Sequence, residues 1–199
     1  MKIGTKSVLF GAHQFMLHPW FVAAAWWRLY GFPFDPRLWL AFFVHDLGYI
    51  GKPNMDGVEG EQHPKLGGRV MSALFGEQWG VFTMTHSRYY AKTLGLQPSR
   101  LCVADKLAIA LTPAWLYLPM VRATGEIREY MAHAKHRIVG NENVTAAERA
   151  MLLGAERDWY LGVQAYLTRW VEAHKGGSAD TWTSDARNRA ALNDDGVWQ

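Results

Sequence analysis

The strongest constraint on this chain is a periodicity it lacks. No stretch alternates apolar and polar residues with period two, whereas apolar residues recur at helical spacing from Val8 onward. A half-buried strand needs that alternation, so the chain is expected to be all-α. Proline and glycine punctuate the pattern. Pro19 follows His18 and suits the first turn of a helix running to about Tyr30, which Gly31 ends. Asp35-Pro36 supplies an N-cap and first-turn proline for a helix to about Leu47, whose last turn carries His45 and Asp46. His63-Pro64 repeats the His18-Pro19 arrangement and opens a helix through about Phe75. A further helix is expected from about Glu77 to Lys92, and Pro98 starts another. Beyond Pro113, helices are expected over roughly 113–121 and 124–138, then as one long helix from the capping box Thr145-Ala146-Ala147-Glu148 to about Lys175. Residues 48–62, with four glycines and a proline, have no usable period and read as a functional loop.

A chain of 199 residues fits one domain, placed at residues 1–175. Gly176-Gly177-Ser178 ends it. The segment 176–199 is polar apart from Trp182, Leu192 and Trp198, and is expected to be a loosely ordered or docking tail. The single cysteine, Cys102, lies between apolar neighbours, which excludes a disulfide framework and suggests a reducing compartment. Too few apolar residues precede Gly11 for a secretory signal, so a cytoplasmic protein is expected. The run from Leu107 to Val121 contains two prolines and falls short of the roughly 18 apolar residues that span a bilayer. No membrane partner is expected. A net charge of +3 without a basic block suits anionic small molecules and gives no reason to expect nucleic acid. The ten tryptophans read mainly as core anchors, and the aromatic last helix and tail can either cover the core or form a homodimer face.

Six polar residues interrupt this apolar helical pattern: His18, His45, Asp46, His63, His86 and Asp105. Imidazole and carboxylate inside apolar segments are costly to bury without compensation, and a bound cation compensates both. The mixture of nitrogen and oxygen donors suits Fe, Mn or Zn better than Ca. Four imidazoles and two carboxylates exceed the needs of one mononuclear site, so two metals bridged by Asp46 are expected.

The order His, His-Asp, His, His, Asp resembles the HD-domain superfamily, and the two extra histidines resemble its dinuclear branch. His63-Pro64-Lys65-Leu66-Gly67 resembles the His-x-x-x-Gly turn there, and Val103-Ala104-Asp105 its closing Ala-Asp element. The spacing from His86 to Asp105 is similar to that in bacterial hydrolases of symmetrical dinucleoside tetraphosphates, and the His-x-x-x-Gly turn resembles that of cyclic-di-GMP phosphodiesterases. The resemblance covers about residues 13 to 120. The chain departs from it at Tyr49, where relatives often carry Lys, and at Ser87-Arg88-Tyr89-Tyr90, which lacks the Gly-Tyr-Pro element of the cyclic-di-GMP enzymes.

The resemblance implies an HD-like helical bundle in which His18, His45, Asp46 and Asp105 hold one metal, while His63 and His86 complete a second with Asp46 bridging. It implies two divalent or transition metals, Fe or Mn first, with Zn, Mg or Ni as further options. The implied activity is a phosphohydrolase of a nucleotide or another small phosphate ester or anhydride, a bridging hydroxide attacking phosphorus. A diiron oxygenase cleaving a C–C or C–P bond, or a non-catalytic nucleotide sensor, would use the same six ligands. Asp46, Arg88 and Lys106 are the expected catalytic residues, and Lys52, Lys65, Arg69 and Arg88 the expected substrate contacts. Arg88 reads equally as a guanidinium for phosphate oxygens and as a solvated helix-end charge. Lys52 and Asp56 would reach the site only through loop closure. Glu59 or Glu61 could orient His63, His13 reads as a satisfied core histidine, and His133, His136 and His174 as solvent-facing or last-turn residues. Trp115 and Tyr117 read as core packing or as a pocket wall for a planar group.

Overall fold

The computed structural model describes residues 1–138 and 141–182, and among them it contains helices and no strand. The chain opens with α1 (Ile3–Phe10), α2 (His18–Tyr30) and α3 (Pro36–Val44). Pro19 stands in the first turn of α2, and the Asp35 side chain caps α3 by accepting from the Arg37 N–H. The expected helix to Leu47 stops earlier, at Val44, and Leu47–Tyr49 form a 3-10 turn. Gly48 explains the stop. Its backbone lies so close to His63 that a Cβ would stand 1.9 Å from the His63 carbonyl oxygen, and this approach pulls the chain off the helix axis.

A second 3-10 turn, Gly60–Gln62, leads into α4 (Pro64–Phe75), followed by α5 (Glu77–Met84), α6 (Arg88–Thr93), α7 (Arg100–Leu111) and α8 (Ala114–Thr124). The single helix expected over 77–92 is two, because Ser87 is extended and its hydroxyl accepts from the Tyr90 N–H, capping a new start. Then come α9 (Glu126–Ile138), α10 (Ala146–Leu152) and α11 (Glu156–His174). The long helix expected from Thr145 is likewise divided, at Leu153–Ala155, where Gly154 lies in the break. The capping box of Thr145 and Glu148 is present.

Helix α7 occupies the centre, packed between α2 and α11, while α3 joins α2 to the α4–α5 pair. Small residues on α7, Cys102, Ala104 and Ala108, are fully covered and let its neighbours approach. The main core gathers Val22, Phe42, Met71, Leu101 and Trp170, each fully buried large side chain contributing about 1.5–3 kcal/mol. A second core joins α8, α9, α10 and α11 through Val121, Ile127, Leu152, Trp159 and Tyr160. The Tyr160 hydroxyl donates to the carbonyls of Ile109 and Thr112 at 2.8 and 2.7 Å and, with Gln164 Nε2 on Thr112, ties α11 to the break before Pro113.

Trp159, Tyr160 and Trp170 are buried, so the aromatic residues of the last helix cover the core. Of the tail, Ala179–Trp182 fold back on α11, and Trp198 lies outside the described residues. No single helix among the described residues is long and apolar enough to cross a membrane. The apolar run from Leu107 to Val121 is divided between α7 and α8, which meet at 101°.

Candidate metal centre

The six polar interruptions converge, and all six side chains are buried. Most arrive where a helix begins or ends. His18 is the first residue of α2, His45 and Asp46 follow α3, His63 precedes α4, and His86 occupies the break between α5 and α6. Only Asp105 comes from a helix interior, facing inward from α7 between Ala104 and Lys106.

Backbone carbonyls near these helix ends also set the state of the imidazoles. His45 donates from Nδ1 to the Phe42 carbonyl at 2.9 Å, His63 to Gly60 at 2.8 Å, and His86 to Thr83 at 2.6 Å. Each bond reaches back three residues. A neutral ring with its hydrogen on Nδ1 presents a bare lone pair at Nε2, and these lone pairs point to the centre. His63 Nε2 and His86 Nε2 stand 3.0 Å apart. Burial together with His86 pushes the His63 pKa well below the usual histidine range, and burial also lowers that of His86. Two facing lone pairs at this distance repel, and a cation ligated by both from one side would relieve that repulsion.

Asp46 divides the centre into two groups. Its Oδ2 lies 3.0 Å from His45 Nε2 and 3.4 Å from His18 Nε2, while its Oδ1 lies 3.3 Å from His86 Nε2 and 3.6 Å from His63 Nε2. Asp105 closes the first group, with Oδ1 3.0 Å from His18 Nε2. Thus His18, His45, Asp46 and Asp105 form one set of ligand atoms within 4.8 Å of one another, and Asp46, His63 and His86 form another. Each set can hold a metal ion. The fit has a further sign: His45 Nε2 and Asp46 Oδ2 are buried without a hydrogen bond despite their 3.0 Å approach. Orphaned atoms of this kind are expensive unless an ion takes them up. Burial disfavours charge on both residues, yet their mutual attraction prevails, pushing the His45 pKa up to about 10 and that of Asp46 well below the carboxylate range. A metal bound here displaces a proton.

Two glycines bring these elements together. Besides Gly48 against His63, Gly67 brings α4 against the end of α3, where a Cβ would lie 2.6 Å from the Val44 carbonyl oxygen and 3.0 Å from His45 Cα. Around the ligands, Tyr49 stacks on His63 at 3.9 Å between centroids and 12° between planes. His13 lies against Tyr49 and edge-on to His18. It belongs to a network on buried Glu126, which accepts from Ser7 Oγ, Thr124 Oγ1 and Tyr130 Oη at 2.9, 2.5 and 2.9 Å. This network escapes a sequence reading, since Glu126 in the first turn of α9 looks like an ordinary helix-start carboxylate.

Not every expected contact reaches the centre. Lys106 does, its Nζ 2.9 Å from Asp105 Oδ2, and that carboxylate keeps it charged against the effect of burial. Arg88 instead makes a bidentate pair with Asp180, Nε to Oδ2 at 2.7 Å and Nη2 to Oδ1 at 3.0 Å, with its guanidinium over the Trp170 ring. Lys65 and Arg69 lie on the exposed side of α4, one turn apart, while Gly67 and Gly68 take its buried side. Lys52 is half-buried, its backbone bonded to Tyr49 and Gly4. Asp56 faces His133 and Arg137 at 3.4 and 3.5 Å, and Glu129 accepts from the Met55 and Asp56 N–H groups at 2.8 Å each, so α9 anchors the 50–62 loop. Neither Glu59 nor Glu61 orients His63, because the Gly60 carbonyl takes that place. His174 is in the last turn of α11 but buried, stacked on Trp170. Trp115 is exposed and Tyr117 buried against Tyr160, so they do not share a wall. Trp115 instead lines a surface groove of about 380 Å³ with Leu118, Pro119, Arg122 and Arg157.

Compared with known proteins, the chain matches no protein-family model, no curated protein and no solved structure, so its chemistry is argued from these side chains.

Proposed function

We propose that this chain is a dinuclear-metal phosphohydrolase of the HD-domain type, acting on a small phosphate ester or anhydride, with nucleotides the leading substrate class. The observation that carries the reading is the division of Asp46, whose two oxygens face two separate ligand sets. A carboxylate placed in this way can serve two ions at once. Two ions a few ångströms apart would supply an activated water and neutralise charge developing on a transferring phosphoryl group. Iron or manganese suits the mixed imidazole and carboxylate donors best, with zinc, magnesium or nickel as further options.

The protein residues have separable roles in this reading. The Nδ1 bonds of His45, His63 and His86 fix the tautomer and the ring direction, so that the Nε2 donors need not reorganise on binding. Lys106 holds the orientation of Asp105 and offers the ammonium nearest to an incoming anion. Arg88 would contact substrate only after exchanging Asp180 for it, so it is assigned to anchoring, and Lys52, Lys65 and Arg69 to less direct roles.

The test is elemental analysis of anaerobically purified protein, followed by an anaerobic screen of nucleotides and phosphate esters with Mn(II) or Fe(II). Phosphate release that depends on added metal and is lost in Asp46→Ala is expected. Oxygen consumption by an iron-loaded form without phosphate release would replace the hydrolase with a diiron oxygenase. Tight nucleotide retention without product would make the protein a sensor.

A further inference from the structure

The face made by α2, α3 and the 31–35 connection carries a continuous band of exposed aromatic rings. Phe34 is 86% exposed, Trp27 62%, Trp20 56%, Phe32 46% and Phe15 41%. They form one patch, because each touches the next directly or through the half-covered rings of Trp39 and Phe43. Phe15 meets Phe43 at 5.8 Å, Phe43 meets Trp20 at 6.0 Å, and Trp20 meets Trp39 at 5.7 Å. Trp39 meets Phe32 at 6.4 Å, and Phe32 meets both Phe34 and Trp27, at 4.8 and 5.7 Å. The five rings expose on the order of 600 Å² at about 200 Å² per aromatic side chain. This already equals the largest apolar patch of an ordinary monomer, about 300–600 Å².

Charge is nearly absent from this face. Between Ser7 and Val44 the only charged residues are Arg28, Asp35 and Arg37, and the last two pair with each other at 2.7 Å. Aromatic enrichment with depletion of charge is the composition of the buried centre of a protein interface. An anionic membrane surface, by contrast, selects for clusters of lysine and arginine beside the apolar residues, and here Arg28 is the only cation without an acidic neighbour among those three.

We infer that this aromatic face is the interface of a homodimer, with a second copy of the chain as its occupant. The area supports the choice. With Met16, which is 63% exposed, and the uncovered parts of Trp39 and Phe43, the patch approaches the roughly 800 Å² that each partner contributes to a stable complex. A charge-poor patch is also self-complementary, since two copies related by a twofold axis oppose few like charges, Arg28 being the one cation there without an acidic neighbour. Helix α2 begins with His18 and α3 leads into His45-Asp46, so the dimer places its contact on the two helices that deliver three of the four residues of the first ligand set.

The test is the mass of the full chain in solution, by light scattering or sedimentation at micromolar concentration. Wild type is expected at twice the 22.6 kDa chain mass. Trp27→Glu and Phe34→Glu, both at exposed positions, should weaken association by at least about tenfold, as loss of an aromatic anchor does at interfaces. Helical content and bound metal should stay at wild-type levels in both. Trp115→Glu, exposed on α8 outside the face, should leave the dimer intact. A monomeric wild type overturns the inference, as does a dimer indifferent to both α2–α3 face substitutions. A monomer that floats with anionic lipid vesicles would overturn it in favour of a membrane surface.

Discussion

Asp180→Asn separates the two roles open to Arg88. In the structure Asp180 is a buried carboxylate that accepts from Arg88 Nε and Nη2 and from Trp170 Nε1, closing the 176–182 segment onto α11. Burial opposes its ionisation, but Arg88 prevails and brings its pKa down to about 2. Relative to an ordinary aspartate, a fall to about 2 corresponds to roughly 2–3 kcal/mol of folding stability at neutral pH. Because the folded-state value is the depressed one, that stability is fully present above about pH 4 and is lost as pH falls towards 2. Asparagine keeps the shape and removes the charge. The variant should therefore lose about 2–3 kcal/mol at pH 7, or roughly 5–10 °C in melting temperature for a chain of this size. Thermal melts of wild type and variant at pH 7, repeated at descending pH, read the difference directly, and the gap should narrow below pH 4. A variant within about 1 °C of wild type at pH 7 would refute the anchoring role. So would a variant of unchanged stability but altered substrate affinity, which would return Arg88 to the substrate.

Four further substitutions test the centre and its support. Asp46→Ala removes the carboxylate common to both ligand sets, so elemental analysis should find little metal at either, whereas on the proposed two-ion occupancy His63→Ala should lower bound metal from two equivalents towards one. Unchanged stoichiometry in His63→Ala would remove that residue from the ligands. Gly48→Ala places a methyl group 1.9 Å from the His63 carbonyl oxygen, so it should reduce metal content while circular dichroism stays helical; full metal loading would show that this turn is more pliable than its packing implies. Glu126→Gln discharges a buried acceptor of several hydrogen bonds and should cost about 1.5–3 kcal/mol in urea denaturation, and a smaller loss would mean that the glutamine re-forms the network.

Much of the helical order is legible because proline, glycine and capping residues act through local chemistry. Pro19, Asp35, Pro64 and Thr145 each mark a start where the chain makes one. The breaks that were missed, at Ser87 and Gly154, have apolar spacing on both sides, so periodicity continues through them while the axis does not. The six candidate ligands are legible for a different reason. His18, His45, Asp46 and Asp105 are polar groups beside apolar runs, and such a residue announces a cost that something must offset, while His63 and His86 complete the series by their order and spacing. Substrate contacts give no comparable signal. A lysine or arginine within a turn of a ligand is oriented by which face of the helix is buried. On α4 the glycines take that face, leaving Lys65 and Arg69 outside. Arg88 was decided by Asp180, ninety-two residues away, a separation no local pattern reports.

The tautomer of the histidines lies between these extremes. Each Nδ1 bond reaches a carbonyl three residues earlier, and for His63 and His86 that carbonyl also accepts the histidine's own backbone N–H. Each of these bonds does two things: it fixes the proton on the far nitrogen and aims the lone pair at the centre. Asp105, a carboxylate with no tautomer to choose, is the one ligand that can sit inside a helix, and there it is held by Lys106 instead. The break at Ser87 places His86 outside the helices, where the Thr83 carbonyl takes both its backbone N–H and its Nδ1–H and so fixes the direction of the ring.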